Sequence, residues 1–401
     1  MFNNIKIKRT VFRFSIVTIL FCLLSLSLAL VLNESGNESS CYSQSEYNSY
    51  QCSVLESSIA EASAVFNETS EIKDTLSEND CESIDETSVN DVFEHGWIIN
   101  ELGYTYVYGD AGYEQFNYKT TALERYINSL NNVASSIPQS SRIFSITAPV
   151  SSTFADIPRD VYKKDNFYNQ SQSAFVSTVA SRLNSCIINI PIVSKLEEQY
   201  DNGEYVFFRT DKNWTSLAAY TAYLEYCNAA GFVPYSIENF SKTVELDFLG
   251  CFYNSTKMPS MESNPDSLIC YSCIPSVKTN LTVYAGGMLY DTYELCNNKA
   301  GINNAYDVYL GRTAGRYELS TTVEGGNLLI IGDSSANPFI PFIACHYSKI
   351  DFIDPRYFTN ESQDFFTNRE YDDVLIMCYS TNAVSGEYIP SLNILFGENY
   401  E

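Results

Sequence analysis

Two short stretches of this chain carry residue types able to do chemistry together. In Leu328-Leu-Ile-Ile-Gly-Asp-Ser-Ser335, four apolar residues run into Gly332 and then Asp333, Ser334 and Ser335. A short apolar run before a turn reads as a buried strand, and a serine at its carboxyl end lies where α/β sheets place their sites. There Ser334 meets backbone N–H groups and the positive end of a helix predicted from about Asn337-Pro338, a setting that suits a nucleophile whose intermediate carries an oxyanion. The plainer reading is a strand-end turn in which Asp or Ser caps the next helix. The second stretch is Phe207-Phe-Arg-Thr-Asp-Lys-Asn-Trp-Thr-Ser216. A strand-like aromatic run gives way to a polar cluster and a helix start. Its plainer reading is again structural: Asp211 and Asn213 satisfy free N–H groups while Trp214 packs underneath.

The elements that must position these residues alternate in type. Helical periodicity covers Tyr113 to Ile137, Ser171 to Leu183 and Thr215 to Ala230, the last with Thr215 or Asn213 near its cap and Gly231 at its end. Buried-strand runs are Arg142 to Ala148, Ile187 to Val193, Leu328 to Ile331, Ile350 to Ile353 and Val374 to Cys378, with a shorter one at Glu204 to Arg209. Short apolar runs alternating with helices predict a mostly parallel sheet covered on both faces. Residues 251–325 have weaker periodicity and read as an insertion or β-rich flap.

The ordered domain is predicted over residues 93–401. Residues 1–13 carry Lys6, Lys8, Arg9 and Arg13 and no acid, and residues 14–32 are uncharged. Nineteen helical residues span about 28 Å, close to the thickness of the hydrocarbon core. Basic residues before this run place the N-terminus in the cytoplasm and the rest outside. The segment is read as a single-pass transmembrane signal-anchor, with a cleaved signal peptide and a secreted product as the alternative. Residues 33–92 hold fourteen Asp or Glu against one basic residue, Lys73, and fourteen Ser. Such a segment buries too little to offset its ordering entropy and reads as a disordered acidic tether. A net charge of -25 argues against nucleic acid and acidic lipid headgroups as partners, while a neutral or cationic polymer is tolerated.

Twelve cysteines fit an oxidising compartment. Cys270 and Cys273 form a C-x-x-C, but no second such pair follows and the chain has two histidines, so no metal or cofactor is expected. A disulfide is the preferred reading, between these two or with a neighbour such as Cys251 or Cys296.

The second stretch resembles the Arg-Thr-Asp-His-His-Trp-Thr motif of the DHHW family, relatives of the AlgX/AlgJ-like O-acetyltransferases in the SGNH-hydrolase superfamily. Ser216-Leu-Ala-Ala-Tyr-Thr-Ala-Tyr223 is similar to the helix that follows it, and Gly332-Asp-Ser-Ser-Ala-Asn-Pro-Phe-Ile-Pro-Phe342 resembles the family's serine block. Asp247-Phe-Leu-Gly250, Asp354-Pro-Arg-Tyr-Phe358 and Tyr371-Asp-Asp-Val-Leu375 follow in the family's order, over about residues 95–390. The resemblance implies an SGNH-hydrolase-like three-layer α/β/α sandwich. It places Ser334 at the nucleophile position and Asp211 at the orienting acid, with Ser335, Asn337, Arg356 and Trp214 near the oxyanion site or pocket. The sequence departs from the family where Lys212-Asn213 replaces His-His and Ser335 replaces Tyr. Asn is not a base near neutral pH. His346, twelve residues beyond Ser334, is about 18 Å away along a helix, and Asp211 raises the pKa of Lys212 as a substitute base.

Three functions follow. The first is a catalytically impaired protein that binds cell-surface polysaccharide or cell-wall glycan. The second is an active serine esterase or O-acetyltransferase on such glycans, which needs a membrane acyl-donor partner for transfer. The third is a tethered adhesin or assembly protein. Asn213-Trp-Thr is also a glycosylation sequon, as are those at Asn239, Asn254, Asn280 and Asn360.

Overall fold

A computed structural model describes residues 95–100, 103–296, 306–358 and 369–396. The expected basic tail, membrane anchor and acidic tether therefore lie outside the described residues. Among the described residues no helix is long and apolar enough to cross a membrane.

An antiparallel three-stranded sheet opens the domain: β1 (His95–Asn100), β2 (Gly103–Tyr108) and β3 (Ala111–Tyr113). The main sheet is built from β4 (Arg142–Ala148), β5 (Ile187–Asn189) and six later strands. Before most of those, β6 (Ser241–Phe248) and β7 (Asp266–Ser272) form an antiparallel pair of their own. The remaining strands are β8 (Thr279–Ala285), β9 (Met288–Tyr293), β10 (Arg316–Thr321), β11 (Asn327–Gly332), β12 (Lys349–Ile353) and β13 (Asp373–Tyr379). The order across the main sheet is β5-β4-β13-β11-β12-β10-β8-β9. Its first five strands are parallel and its last three are added antiparallel.

Strand alternation divides the core into two layers. Leu328, Ile330, Leu375 and Met377 face one side, with Ala218, Ala222 and Tyr226 of the helix Ser216–Ala230. Leu329, Ile331, Val374 and Ile376 face the other, with the helices Thr120–Ser136, Gln172–Arg182 and Tyr388–Leu395. Both faces of a mostly parallel sheet are thus covered, as the near-continuous apolar runs predict. Arg142 and Asp373, paired across β4 and β13, share a two-pronged ion pair at 2.7 Å for each contact.

Several elements differ from expectation. The helix expected from Tyr113 starts at Thr120, because Tyr113 ends β3. The strand expected to reach Val193 stops at Asn189, and Val193–Asp201 is helical. Glu204 to Arg209 is not a strand; it contributes a single bridge, Phe207 to Trp214, because its backbone groups are needed by loop partners. The helix expected after Asn337-Pro338 is one tight turn, Ser334–Ala336, and a four-residue helix, Ile340–Ile343. Within the stretch 251–325, read from sequence as an insertion or β-rich flap, β8, β9 and β10 extend the main sheet.

Gly332, where β11 ends, shows how tightly the serine turn is seated. A Cβ there would stand 2.4 Å from the Met377 carbonyl oxygen of β13. Gly332→Ala is expected to cost roughly 1–3 kcal/mol by overpacking, read as a lower midpoint in urea unfolding. An unchanged midpoint would mean that β11 and β13 are not held this closely.

Candidate active site

Ser334 leaves the carboxyl end of β11 in the tight turn Ser334–Ala336. Asp333, fully buried, holds that turn. Its Oδ1 accepts from the Ser335 N–H at 2.9 Å and the Ser335 hydroxyl at 2.6 Å, and its Oδ2 from Tyr379 N–H at 2.8 Å and Asn382 Nδ2 at 2.6 Å. The capping role in this turn falls to Asp333. Ser334 is left half-buried with its side chain turned toward Asn213.

The facing loop is built around a second buried carboxylate. Asp211 Oδ1 accepts from the Asn213 backbone N–H at 2.8 Å and from Asn213 Nδ2 at 2.6 Å, while Oδ2 accepts from Cys251 N–H at 2.8 Å. A carboxylate with three N–H donors around it only accepts. It therefore requires the Asn213 amide to present its NH2 to Asp211 and its oxygen to the other side. On that side the Ser334 hydroxyl donates to Asn213 Oδ1 at 2.9 Å. Ser334, Asn213 and Asp211 thus form one chain of hydrogen bonds in the order and spacing of a nucleophile, base and orienting acid.

Close packing keeps the two loops in register. The indole N–H of Trp214 donates to the Ser335 carbonyl at 3.1 Å, and Trp214 N–H donates to the Tyr379 hydroxyl at 3.0 Å. Gly250 backs Asp211 directly: a Cβ there would lie 2.2 Å from Asp211 Cβ. Thr210 and Arg209 are fixed by Asp266, whose Oδ2 accepts from Thr210 N–H at 2.8 Å and its hydroxyl at 2.6 Å. Thr215, at the helix cap position, uses its hydroxyl on the Tyr205 carbonyl at 2.8 Å and makes no side-chain cap bond.

A cleft of about 640 Å³ opens beside this relay, lined in part by Tyr104, Glu114, Lys212, Asn213, Tyr306 and Asn337. Asn337, one of the residues the resemblance implied near the pocket, lines this cleft. Three other residues implied near the pocket are placed differently. Ser335 is buried with both its donors committed to Asp333. Trp214 is buried beneath the loops, because its ring fills the space against Tyr379. Arg356 is turned onto Asp354, with bonds of 3.0 and 2.7 Å, and does not line the cleft. The sequon at Asn213 is closed in the folded chain by the burial of its side chain.

Glu114 and Tyr306 had no signal in the sequence reading. Glu114 fell inside an apparent helix, and its place in the cleft depends on β3 ending just before it. Burial pushes its carboxyl above the ordinary range; Lys212 opposes the rise and Asp211 and Asp333 add to it. Crowding by protein atoms works against the charge on Lys212, yet Glu114, Cys251 and Asp211 outweigh it and hold the ammonium above its usual pKa. Lys212 is therefore a cation and not a base, as expected from Asp211 beside it. Tyr306 donates to the Ser334 carbonyl at 3.1 Å. Neither histidine approaches the serine: His95 bonds Asp165 at 2.5 Å, and His346 bonds the Tyr223 hydroxyl at 2.9 Å.

A sequence model of the DHHW family, described as DHHW protein, matches residues 55–353. This chain belongs to the DHHW family. None of the curated proteins matches its sequence significantly. Among solved structures, a DHHW family protein from Eubacterium siraeum DSM 15702 is similar with a TM-score of 0.65 and 22% identity, over 75% of this chain and 98% of that one. PatB1 from Bacillus cereus is similar with a TM-score of 0.57 and 14% identity, over 74% and 99%. The O-acetyltransferase domain of Pseudomonas putida AlgJ has a TM-score of 0.41 and 14% identity, over 75% and 99%. In this DHHW-family domain the amide of Asn213 fills the place between carboxylate and serine.

The pKa of His346 is lowered by burial from its ordinary 6.5 to about 4. Below pH 6.5 the unfolded chain takes up a proton at this residue and the folded chain does not. Stability is thus expected to fall as pH drops from about 6.5 to about 4. His346→Gln, which keeps an acceptor for Tyr223, is expected to flatten that slope. Urea midpoints at a series of pH values test this, and equal slopes in both proteins would refute it.

Proposed function

We propose that this DHHW-family protein is an extracytoplasmic, membrane-anchored protein associated with cell-surface polysaccharide, impaired as an enzyme and acting by binding glycan in the cleft. The 2.9 Å bond from the Ser334 hydroxyl to Asn213 Oδ1 carries this reading. An amide oxygen holds the serine hydroxyl in place but takes up no proton near neutral pH, so the alkoxide a serine nucleophile needs does not form. Loss of the base typically removes most of the rate and leaves only what binding and the oxyanion site supply.

Binding needs no base. The cleft offers Glu114, Lys212 and Asn337 as hydrogen-bonding groups, and Tyr104 at its edge is 72% exposed, a flat apolar face of the kind on which sugar rings stack. Export past the apolar segment 14–32 puts such a cleft where cell-surface glycans are. A second reading, a surviving esterase or O-acetyltransferase supplied by a membrane acyl donor, is favoured by Glu114, whose raised carboxyl is a proton-transfer group in the same cleft.

The test is release of acetate from an activated ester by the wild type, Ser334→Ala, Asn213→His and Asn213→His/Ser334→Ala. A neutral imidazole has one ring N–H to donate to Asp211 and one basic ring nitrogen, so the histidine supplies an acceptor for the serine proton. The expected result is a silent wild type and a gain of about 10²–10⁴-fold in Asn213→His that the added Ser334→Ala abolishes. Wild-type activity that is lost in Ser334→Ala would overturn the impaired reading, and Glu114→Gln would then be the next variant.

Glycan binding is tested separately by sedimentation with purified cell-wall polysaccharide. Tyr104→Ala is expected to weaken it about 5-fold, the factor for ~1 kcal/mol. Undetectable binding by the wild type would remove the glycan from the proposal.

A further inference from the structure

Four buried thiols lie away from the cleft in two facing pairs: Cys270 with Cys296, and Cys273 with Cys345. Cys270 is in β7 and Cys273 directly follows it, so the chain between them is extended. Three extended residues span about 10 Å, beyond the ~7 Å between Cα atoms that a disulfide bridges. The C-x-x-C thus cannot close on itself without unmaking the end of β7. Cys251, another expected partner, lies at the cleft with its N–H on Asp211.

What each of the two does instead is visible in its contacts. The sulfurs of Cys270 and Cys296 converge on one atom, the Tyr271 carbonyl oxygen, at 3.9 and 3.1 Å. Cys296 holds a left-handed backbone, φ 60, which a side-chain-bearing residue adopts at a cost. Cys273 Sγ lies 3.3 Å from the Pro341 carbonyl, in the helix Ile340–Ile343 whose following turn carries Cys345. Its thiol hydrogen-bonds that of Cys345. Among the described residues no group of three or more His, Cys, Asp or Glu is arranged to hold a metal ion.

We propose that the folded protein carries two disulfides, Cys270–Cys296 and Cys273–Cys345, which clamp β7 to the walls behind the serine turn. The hydrogen bond from Cys273 holds the Cys345 thiol below its ordinary pKa, so Cys345 is the first of its pair to become a thiolate. A surface cleft of about 650 Å³ reaches Cys273 and Cys296, giving a small oxidant access. Each bond forms by two exchanges with a low-molecular-weight disulfide. A thiolate attacks and releases one small thiol, and the partner thiolate then displaces the second. Two protein thiols are oxidised as one external disulfide is reduced to two thiols.

The clamps have a structural consequence. Cys296 N–H donates to the Tyr309 carbonyl at 3.2 Å, and Tyr309 bonds Ser216 at 2.7 Å, at the start of the helix behind Asn213. The helix Ile340–Ile343, which Cys345 follows, is the one that comes after the Ser334 turn. Both crosslinks therefore brace the scaffold of the relay from outside, whether or not the serine reacts.

The experiment oxidises the purified, folded full chain in a glutathione redox buffer, alkylates remaining thiols, and maps linked peptides by mass spectrometry without reduction. Peptides joining Cys270 to Cys296 and Cys273 to Cys345 are expected, with a melting temperature roughly 5–10 °C above that of the reduced protein. A Cys270–Cys273 link, a link of Cys345 to Cys227, or full alkylation of the four thiols after oxidation would each overturn the proposal. Cys345→Ser is expected to keep the Cys270–Cys296 link and leave Cys273 alkylatable. Loss of both links in that variant, from protein that still melts cooperatively, would show that the pairing is not the one assigned.

Discussion

A buried carboxylate that can only accept is the constraint on which the site rests. Asp211 is surrounded by three N–H donors, so the orientation of Asn213 is not free, and with it the direction of the Ser334 hydroxyl. Turning the amide over would set its oxygen against a carboxylate oxygen and leave a buried polar group unpaired, at a cost of about 1–3 kcal/mol or more. The serine is consequently ordered as strictly as a triad serine, by a group with no capacity to take its proton.

The same device recurs in the loops around it. Asp266 organises Arg209 and Thr210, and Asp333 organises the serine turn and the end of β13. Irregular backbone inside a protein has donors that no ladder satisfies, and a carboxylate with several acceptor sites gathers them in one place. These three aspartates explain how non-helical, non-strand segments meet at the carboxyl end of the sheet. Trp214 then joins the two loops by packing and by its indole N–H, so neither loop shifts alone.

A scaffold of this kind separates order from reactivity. Asn213 plays the two roles of a neutral imidazole, donor to Asp211 and acceptor from Ser334. What differs is basicity, which no contact distance records. Glu114 and Lys212, two of the ionisable groups in the cleft, stabilise each other's charge and leave the cleft polar, a property that suits recognition of a hydroxyl-rich ligand as well as it suits proton transfer.

The sequence by itself determined the parallel core strands, because Leu328 to Ile331 and Val374 to Cys378 are apolar on both faces and fit no half-exposed element. It also determined the long helices and the stop at Gly231, while Asp211 and Ser334 were named together only through the family resemblance. It did not show that Ser335 turns inward, that Glu114 enters the cleft, or that the 251–325 stretch adds strands to the main sheet. Those facts rest on contacts between residues far apart in the chain, such as Ser335 with Trp214 and Gly250 with Asp211, and periodicity is silent on them. C-x-x-C spacing left Cys270 and Cys273 to pair with each other or with a neighbour such as Cys251 or Cys296; the extended β7 carries their two sulfurs apart, and only the fold brings the sulfurs of Cys270 and Cys296 to one carbonyl, that of Tyr271.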